Sequence, residues 1–449
     1  MMNTKEIAAI SRISSFVDEG SFVEVGKNLS DSVVTGYALV DGRLVYIYSQ
    51  NPDACGGAIG ENHSKKITNI YDMALKMGAP VIGIFDCAGV SLNEANAALM
   101  GLGSLYQAAS KASGIIPQLT MVMGGCGGGV SILPALSDFT FVEEKKGSLF
   151  LQSPNAIPAN TREKCDTSNA QWKAEHTQNV DFIGTDDDLY ETVRRFVQIL
   201  PGNNRYAIEQ DICNDDLNRM CETIEDAVSD APTLLSMLAD GYDFIETKKH
   251  IAKDLTTGFL KLNGMTIGVV ANNDDTLTAQ GVAKAAAFVK YCDAFSIPVL
   301  TVANVSGFES SFEAEITFPS ACAAFVSAYA SATIPKVTLI TDQAMGSAGM
   351  IMGGKTLGTA LVLAWNDAKI GAMEGTFAAK ILYAEEGAAT IRLKAAEYDE
   401  KNTADAAAGC GAVDMIIDAK STRKYLISAF DMLATKQEVP AYRKSTSIF

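Results

Sequence analysis

The chain has 449 residues, of which 48% are hydrophobic and 20% charged, and a formal net charge of −17. That length suits about two domains of ordinary size, each burying its own core, and the composition excludes an intrinsically disordered chain. The charge argues against a nucleic-acid partner, which needs clustered Lys and Arg, and requires any phosphate-bearing ligand to be met by a local basic patch or by backbone N–H groups.

At the N-terminus Lys5, Glu6 and Arg12 interrupt what a signal peptide keeps apolar. No apolar run reaches the roughly 18 residues that suggest a membrane-spanning helix, so a cytoplasmic location is expected. Nine cysteines without a CxxC pair, and histidines only at His63, His176 and His250, point to free thiols in a reducing compartment and to no metal site.

The first clear element is SVVTGYALVDGRLVYIYSQ (32–50), two alternating runs joined by Asp-Gly, which reads as a hairpin. It has an echo in DLTTGFLKLNGMTIGVVAN (254–272), with Asn-Gly at the turn. Next, KKITNIYDMALKMGAPVIGIFDCAGV (65–90) matches AKAAAFVKYCDAFSIPVLTVANVSGF (283–308): a helical stretch ends before Pro80 or Pro298, and a short apolar strand follows. A third block pairs AASKASGIIPQLTMVMGGCGGGVSILPA (108–135) with SAYASATIPKVTLITDQAMGSAGMIMGG (327–354) in the order helix, Pro, strand, Gly-rich turn, helix. Three blocks repeated in register imply a duplicated domain, and strand–helix alternation makes each copy α/β with largely parallel pairing. PGNN at 201–204 and the polar run CNDDLNRMCETIED (213–226) mark the junction, giving expected domains 1–212 and 213–449.

Each copy thus ends a strand in a Gly-rich turn and starts a helix there, GGCGGGVSILPA (124–135) and AMGSAGMIMGG (344–354). The first N–H groups of such a helix have no intrahelical acceptor, and its dipole favours negative charge. Three uses compete. Gly349 to Thr356 formally fit a phosphate-loop pattern, but its Gly354, Lys355 and Thr356 fall inside or past a helix expected to start near Ala348, and the first turn has no following Lys. Glycines that let a helix pack closely on a strand are the structural alternative. An oxyanion hole is the third, and it needs backbone donors rather than a particular side chain. The remaining side chains offer little. His63 reads as a surface histidine, Asp86 and Glu94 as caps or solvated loop residues, Ser131 has no evident His partner, and Cys126 has no basic neighbour to activate it.

Several stretches together resemble the carboxyltransferase subunits of biotin-dependent acyl-CoA carboxylases and decarboxylases: RISSFVDEGSFVEV (12–25), CGGAIGENHSKKI (55–67), MGAPVIGIFD (77–86), GGCGGGVSILPALSDFTFV (124–142), YCDAFSIPVLT (291–301), ATIPKVTLIT (332–341) and TRKYLISAFDMLATKQ (422–437). The resemblance covers nearly the whole chain from about Arg12 and implies a somewhat shortened member. It implies two crotonase-like domains, the first holding acyl-CoA and the second receiving carboxybiotin. The active site would lie where the first domain of one subunit faces the second domain of another, in a homo-oligomer built from dimers up to a hexamer. Carried over by position, Gly128 and Gly129 would hold the thioester enolate, and Gly346, Ser347 and Ala348 the ureido oxygen of biotin. Ser347 stands where the family has Gly, which leaves its backbone donor in place. Gly56, Gly57, Gly125, Cys126 and Gly127 would line the acyl-CoA side, and Met350 stands where many members have Asp near the acyl group.

Departures from the family are AGVSLNEA (88–95), which lacks the usual Arg, and SGFESSFEAEITFPSACAAF (306–325), which replaces a Gly-Ile-Ile-Arg helix. No biotinylation sequence is present, so the resemblance implies a separate biotin carboxyl carrier protein, with a biotin carboxylase or a membrane decarboxylase subunit as further partner. Two other readings stay open at this point: a crotonase-like hydrolase or isomerase that uses only the first turn, and a scaffold subunit without turnover.

Overall fold

The computed structural model describes residues 7–158, 160, 165–205, 210–436 and 438. Lys5 and Glu6, whose charges enter the signal-peptide argument, lie outside the described residues. The chain divides into two compact units, Met1–Ile208 and Glu209–Phe449, a few residues ahead of the expected 212/213 junction.

The first unit is built on the strands Val23–Glu24 (β1), Val33–Val40 (β2), Arg43–Gln50 (β3), Val81–Cys87 (β4), Gln118–Gly127 (β5), Phe139–Glu143 (β6), Ser148–Phe150 (β7) and Phe182–Gly184 (β8). They form one sheet in the order β1-β2-β3-β4-β5-β6-β8, with β7 paired to β5. The second unit contains Phe244–Thr247 (β9), Leu255–Leu262 (β10), Met265–Asn272 (β11), Thr276–Leu277 (β12), Val299–Val305 (β13), Gly307–Phe308 (β14), Lys336–Met345 (β15), Leu361–Trp365 (β16), Lys369–Gly371 (β17) and Met415–Ile417 (β18). Its main sheet runs β9-β10-β11-β13-β15-β16-β18, with β17 paired to β15. Setting aside the small β12-β14 pair, the two sheets follow the same path strand for strand, which is the duplication read from the sequence.

Local chemistry explains why the copies fold alike. Both hairpins turn on two left-handed residues, Asp41 and Gly42 in one and Asn263 and Gly264 in the other, the backbone that matches the twist of paired strands. In each, one distant carboxylate accepts both turn N–H groups: Asp18 from Asp41 and Gly42 at 2.9 and 2.8 Å, Asp240 from Asn263 and Gly264 at 3.1 and 2.7 Å. The repeated Thr-Gly has a reason as well. A Cβ on Gly36 or Gly258 would lie 2.2 Å from the backbone oxygen of Val23 or Ile245 on the neighbouring strand, so only glycine admits that crossing.

Helices Glu61–Met77 and Ala279–Ala294 each bury one lysine from the second matched block. Lys66 donates to the carbonyls of Ser30 and Val33 at 3.0 and 2.5 Å, and Lys284 to those of Ile251 and Ala252 at 2.9 and 2.8 Å, tying each helix to the segment that enters its hairpin. Pro80, Pro117, Pro298 and Pro335 stand just ahead of parallel strands, where their carbonyls accept from the neighbouring strand and no N–H is needed. Beneath each sheet lies its own apolar core, with Phe85, Val122 and Val142 in the first unit and Leu300, Leu339 and Phe430 in the second.

Candidate functional site

Strands β4 and β5 run parallel, with Cys87 opposite Cys126 at their C-terminal ends. Past that point β5 ends at Gly127 and a 3₁₀ turn, Gly128–Ser131, runs into the helix Ile132–Leu136. Beside it, the loop Cys55–Gly57 is zipped to the segment after β4, with Ala88 N donating to Gly56 O at 2.8 Å and Ile59 N to Gly89 O at 2.9 Å. The fold therefore brings Gly56, Gly57, Gly125, Cys126, Gly127, Gly128 and Gly129 to one end of two adjacent strands, where open α/β sheets bind ligands.

The glycines of the first turn do different jobs. A Cβ on Gly124 would strike the Asp86 carboxylate at 2.2 Å, and one on Gly127 the Phe150 ring at 2.4 Å. These are packing glycines, as the structural alternative supposed. Gly128 differs: its φ is +64°, and no atom lies within 4 Å of where its Cβ would stand. The bare backbone there faces open space, and the N–H groups that start the turn have no intrahelical acceptor.

None of the nearby side chains is a nucleophile. Burial pushes the Cys126 thiol far up and that of Cys87 up to about 11, so neither carries appreciable thiolate near neutral pH. Asp86 is engaged with Arg12 at 2.7 Å. Glu94 caps a helix, accepting from Glu61 N at 2.7 Å. Ser131 Oγ donates to Gly128 O at 2.8 Å.

His63 requires a correction. It is not at the surface: the residue is 1% exposed, with Nδ1 2.8 Å from Ser32 Oγ. Burial first, and the charge of Lys66 second, lower its pKa from 6.5 to about 3. The folded protein keeps this ring neutral while the unfolded chain protonates it, so its contribution to stability is present above about pH 6.5 and lost as the pH falls toward 3. Between pH 7 and pH 5 we expect the free energy of unfolding to drop by about 2 kcal/mol through this residue alone. Urea titrations at the two pH values check this, with His63→Gln expected to flatten the difference.

The second turn repeats the first. β15 ends at Met345, and the helix Gly346–Ile351 starts at once, with Gly346 at φ +58°. Gly346, Ser347 and Met350 line a cavity of about 1020 Å³ whose wall also includes Ile340, Ile370 and Tyr398. Ala348, the next N–H donor after Ser347, is buried within the same helix. Met350 thus lines this second-unit cavity.

The phosphate-loop pattern does not hold. Gly354 and Lys355 follow the helix instead of preceding it, and Lys355 Nζ is spent on Asp414 at 2.7 Å and on the Ala360 carbonyl at 2.8 Å. The departure at 306–325 folds as the short strand β14 followed by the first part of the helix Phe312–Ser331, which is capped by Ser311 and contains Pro319. Asn402 carries no sequence signal, yet it braces the cavity wall, its backbone carbonyl accepting from Ile370 N at 2.8 Å.

A family model described as carboxyl transferase domain matches residues 4–448. The chain belongs to the carboxyl transferase family. This carboxyl transferase is 34% identical to the methylmalonyl-CoA decarboxylase subunit alpha of Propionigenium modestum, over 99% of its own length and 93% of that protein. It is 36% identical to a putative propionyl-CoA carboxylase beta chain of Bacillus subtilis, covering 99% of this chain and 94% of that one. Among solved structures, the transcarboxylase 12S hexamer with methylmalonyl-CoA and methylmalonic acid bound superposes with a TM-score of 0.92 at 30% identity, over 98% of this chain and 92% of that one. The two units are accordingly the duplicated crotonase-like domains of this family. Among the described residues of the carboxyl transferase, no helix is long and apolar enough to cross a membrane, and no group of three or more His, Cys, Asp or Glu is placed to hold a metal ion.

Proposed function

We propose that this carboxyl transferase moves a carboxyl group between carboxybiotin, held on a separate biotin carboxyl carrier protein, and the α-carbon of a short acyl-CoA. The observation that carries the reading is the duplicated turn: two turns after equivalent strands, each beginning on a glycine at positive φ, the first facing open space with both neighbouring thiols held protonated.

Acyl-CoA is assigned to the first unit and carboxybiotin to the second. Gly128 and Gly129 would donate their N–H groups to the thioester oxygen, with the backbone of Gly56, Gly57, Gly125, Cys126 and Gly127 forming the wall against the acyl-CoA. Charge collects on that oxygen as the α-carbon becomes nucleophilic. Fixed donors meet it without reorganising solvent, and each contributes on the order of 10²–10³ in rate. In the second unit, Gly346 and Ser347 line a largely apolar cavity, and the N–H groups of Gly346, Ser347 and Ala348 would meet a ureido oxygen whose ring system is fused to an apolar thioether ring. When bound, carboxybiotin would supply the carboxyl group, or biotin would accept it, and the ureido nitrogen freed of its carboxyl group would supply the base. The chain's own part is to hold two oxygens and exclude water.

The further partners are a biotin carboxylase or a membrane decarboxylase subunit. The assembly is a homo-oligomer of the hexameric type seen in the 12S relative, cytoplasmic and meeting a membrane only through a partner. Incubation of the purified protein with methylmalonyl-CoA carrying a labelled carboxyl group and free biotin is expected to place acid-labile label on biotin. No transfer from methylmalonyl- or malonyl-CoA, with the carrier also supplied, would sink the reading.

A further inference from the structure

We infer that Tyr106 and Ser131 are positioning residues for the first turn, an inference that rests on reading that turn as the thioester oxyanion site. The phenol of Tyr106, on the helix Asn96–Ala112, donates to the Gly129 carbonyl at 2.5 Å. The Ser131 hydroxyl donates to the Gly128 carbonyl at 2.8 Å.

A peptide unit is planar and trans, so its C=O and the following N–H point in opposite directions. Pinning the Gly128 carbonyl therefore sets the direction of the Gly129 N–H, one of the two assigned donors, and pinning the Gly129 carbonyl fixes the next peptide, so that the 128–129 unit is also held from its C-terminal side. Glycine backbone is the least constrained of all, and an unheld Gly128–Gly129 segment would spread its donors over several orientations. Two hydroxyls, one from within the turn and one from a separate helix, remove that freedom on the side away from the site and leave the N–H side open.

The second unit provides the internal comparison. In the register that pairs Pro117 with Pro335 and Gly128 with Gly346, Tyr106 and Ser131 correspond to Ala324 and Gly349. Neither can donate a hydrogen bond through a hydroxyl, yet the strand, turn and helix form there equally. The hydroxyls are thus not a requirement of the fold. They belong to the turn assigned the thioester oxygen, where donor direction affects rate.

The test uses the full-length protein and label transfer from methylmalonyl-CoA to free biotin. Tyr106→Phe and Ser131→Ala are each expected to lower kcat about tenfold, less than the loss of a whole donor, with KM for methylmalonyl-CoA changed less than about twofold. Ser131→Thr, which keeps the hydroxyl, should retain the wild-type rate, and thermal melts of all three should show a folded protein. Wild-type kcat in both the Phe and Ala variants overturns this inference alone. So does a loss confined to KM, or one that tracks the folded fraction. Absence of transfer by the wild-type protein overturns the functional reading, and this inference with it.

Discussion

Gly128→Val is expected to lower kcat for carboxyl transfer by on the order of 10²–10³ while leaving the protein folded. The effect is conformational. At φ +64° a β-branched residue is strained by about 1–2 kcal/mol, and relief comes from rotating the 128–129 peptide. That peptide carries the Gly129 N–H, so the strain is released by turning a donor away from the thioester oxygen. Beyond the adjacent residues, no atom lies within 4 Å of the new Cβ, which therefore meets open space. Steady-state kinetics beside urea unfolding separates the two effects. A kcat within a few-fold of wild type, with the stability change present, would contradict the assignment of this turn.

Arg423→Met is expected to cost about 3 kcal/mol of stability, toward the lower end for breaking a buried ion pair. Arg423 is fully buried, with Nη2 3.2 Å from Asp215 and 2.6 Å from Asp240. Removing it leaves two largely buried carboxylates, and the loss is moderated because Asp215 keeps Arg219 at 3.0 Å and Asp240 keeps its two turn N–H donors. The first unit carries the same device in exposed form, Arg194 beside Asp18 at 3.4 Å with both side chains about a third exposed. Arg194→Met should therefore cost no more than about 1 kcal/mol. Denaturant midpoints of the two variants check the contrast, and equal losses would refute it.

The hairpins, the Pro-initiated strands and both Gly-rich turns were legible in the sequence because they depend on neighbours in the chain. Asp-Gly and Asn-Gly dictate their own backbone, and a proline ahead of a strand is readable at a glance. Repetition did the rest: the second copy turned three ambiguous local patterns into one architecture.

What stayed hidden depends on partners far away in the chain. His63 sits in the polar stretch GENHSKKI and reads as exposed, yet Ser32 and the packed helix bury it. The shared duty of Asp18 and Asp240 is invisible until each carboxylate is seen over its hairpin turn. Tyr106 lies 23 residues before the glycine that it holds, and nothing in its helix marks it. Even the turn itself was only half readable. Composition shows that glycines are needed, but only the coordinates separate Gly124 and Gly127, which make room for Asp86 and Phe150, from Gly128, which faces open space.

The central claim is that the first turn holds the thioester oxygen, and a crystal structure of the protein with methylmalonyl-CoA bound tests it most directly. The thioester oxygen is expected at about 2.7–3.1 Å from the backbone nitrogen of Gly128 or Gly129. A thioester oxygen bound elsewhere, beyond hydrogen-bond reach of both nitrogens, would contradict it.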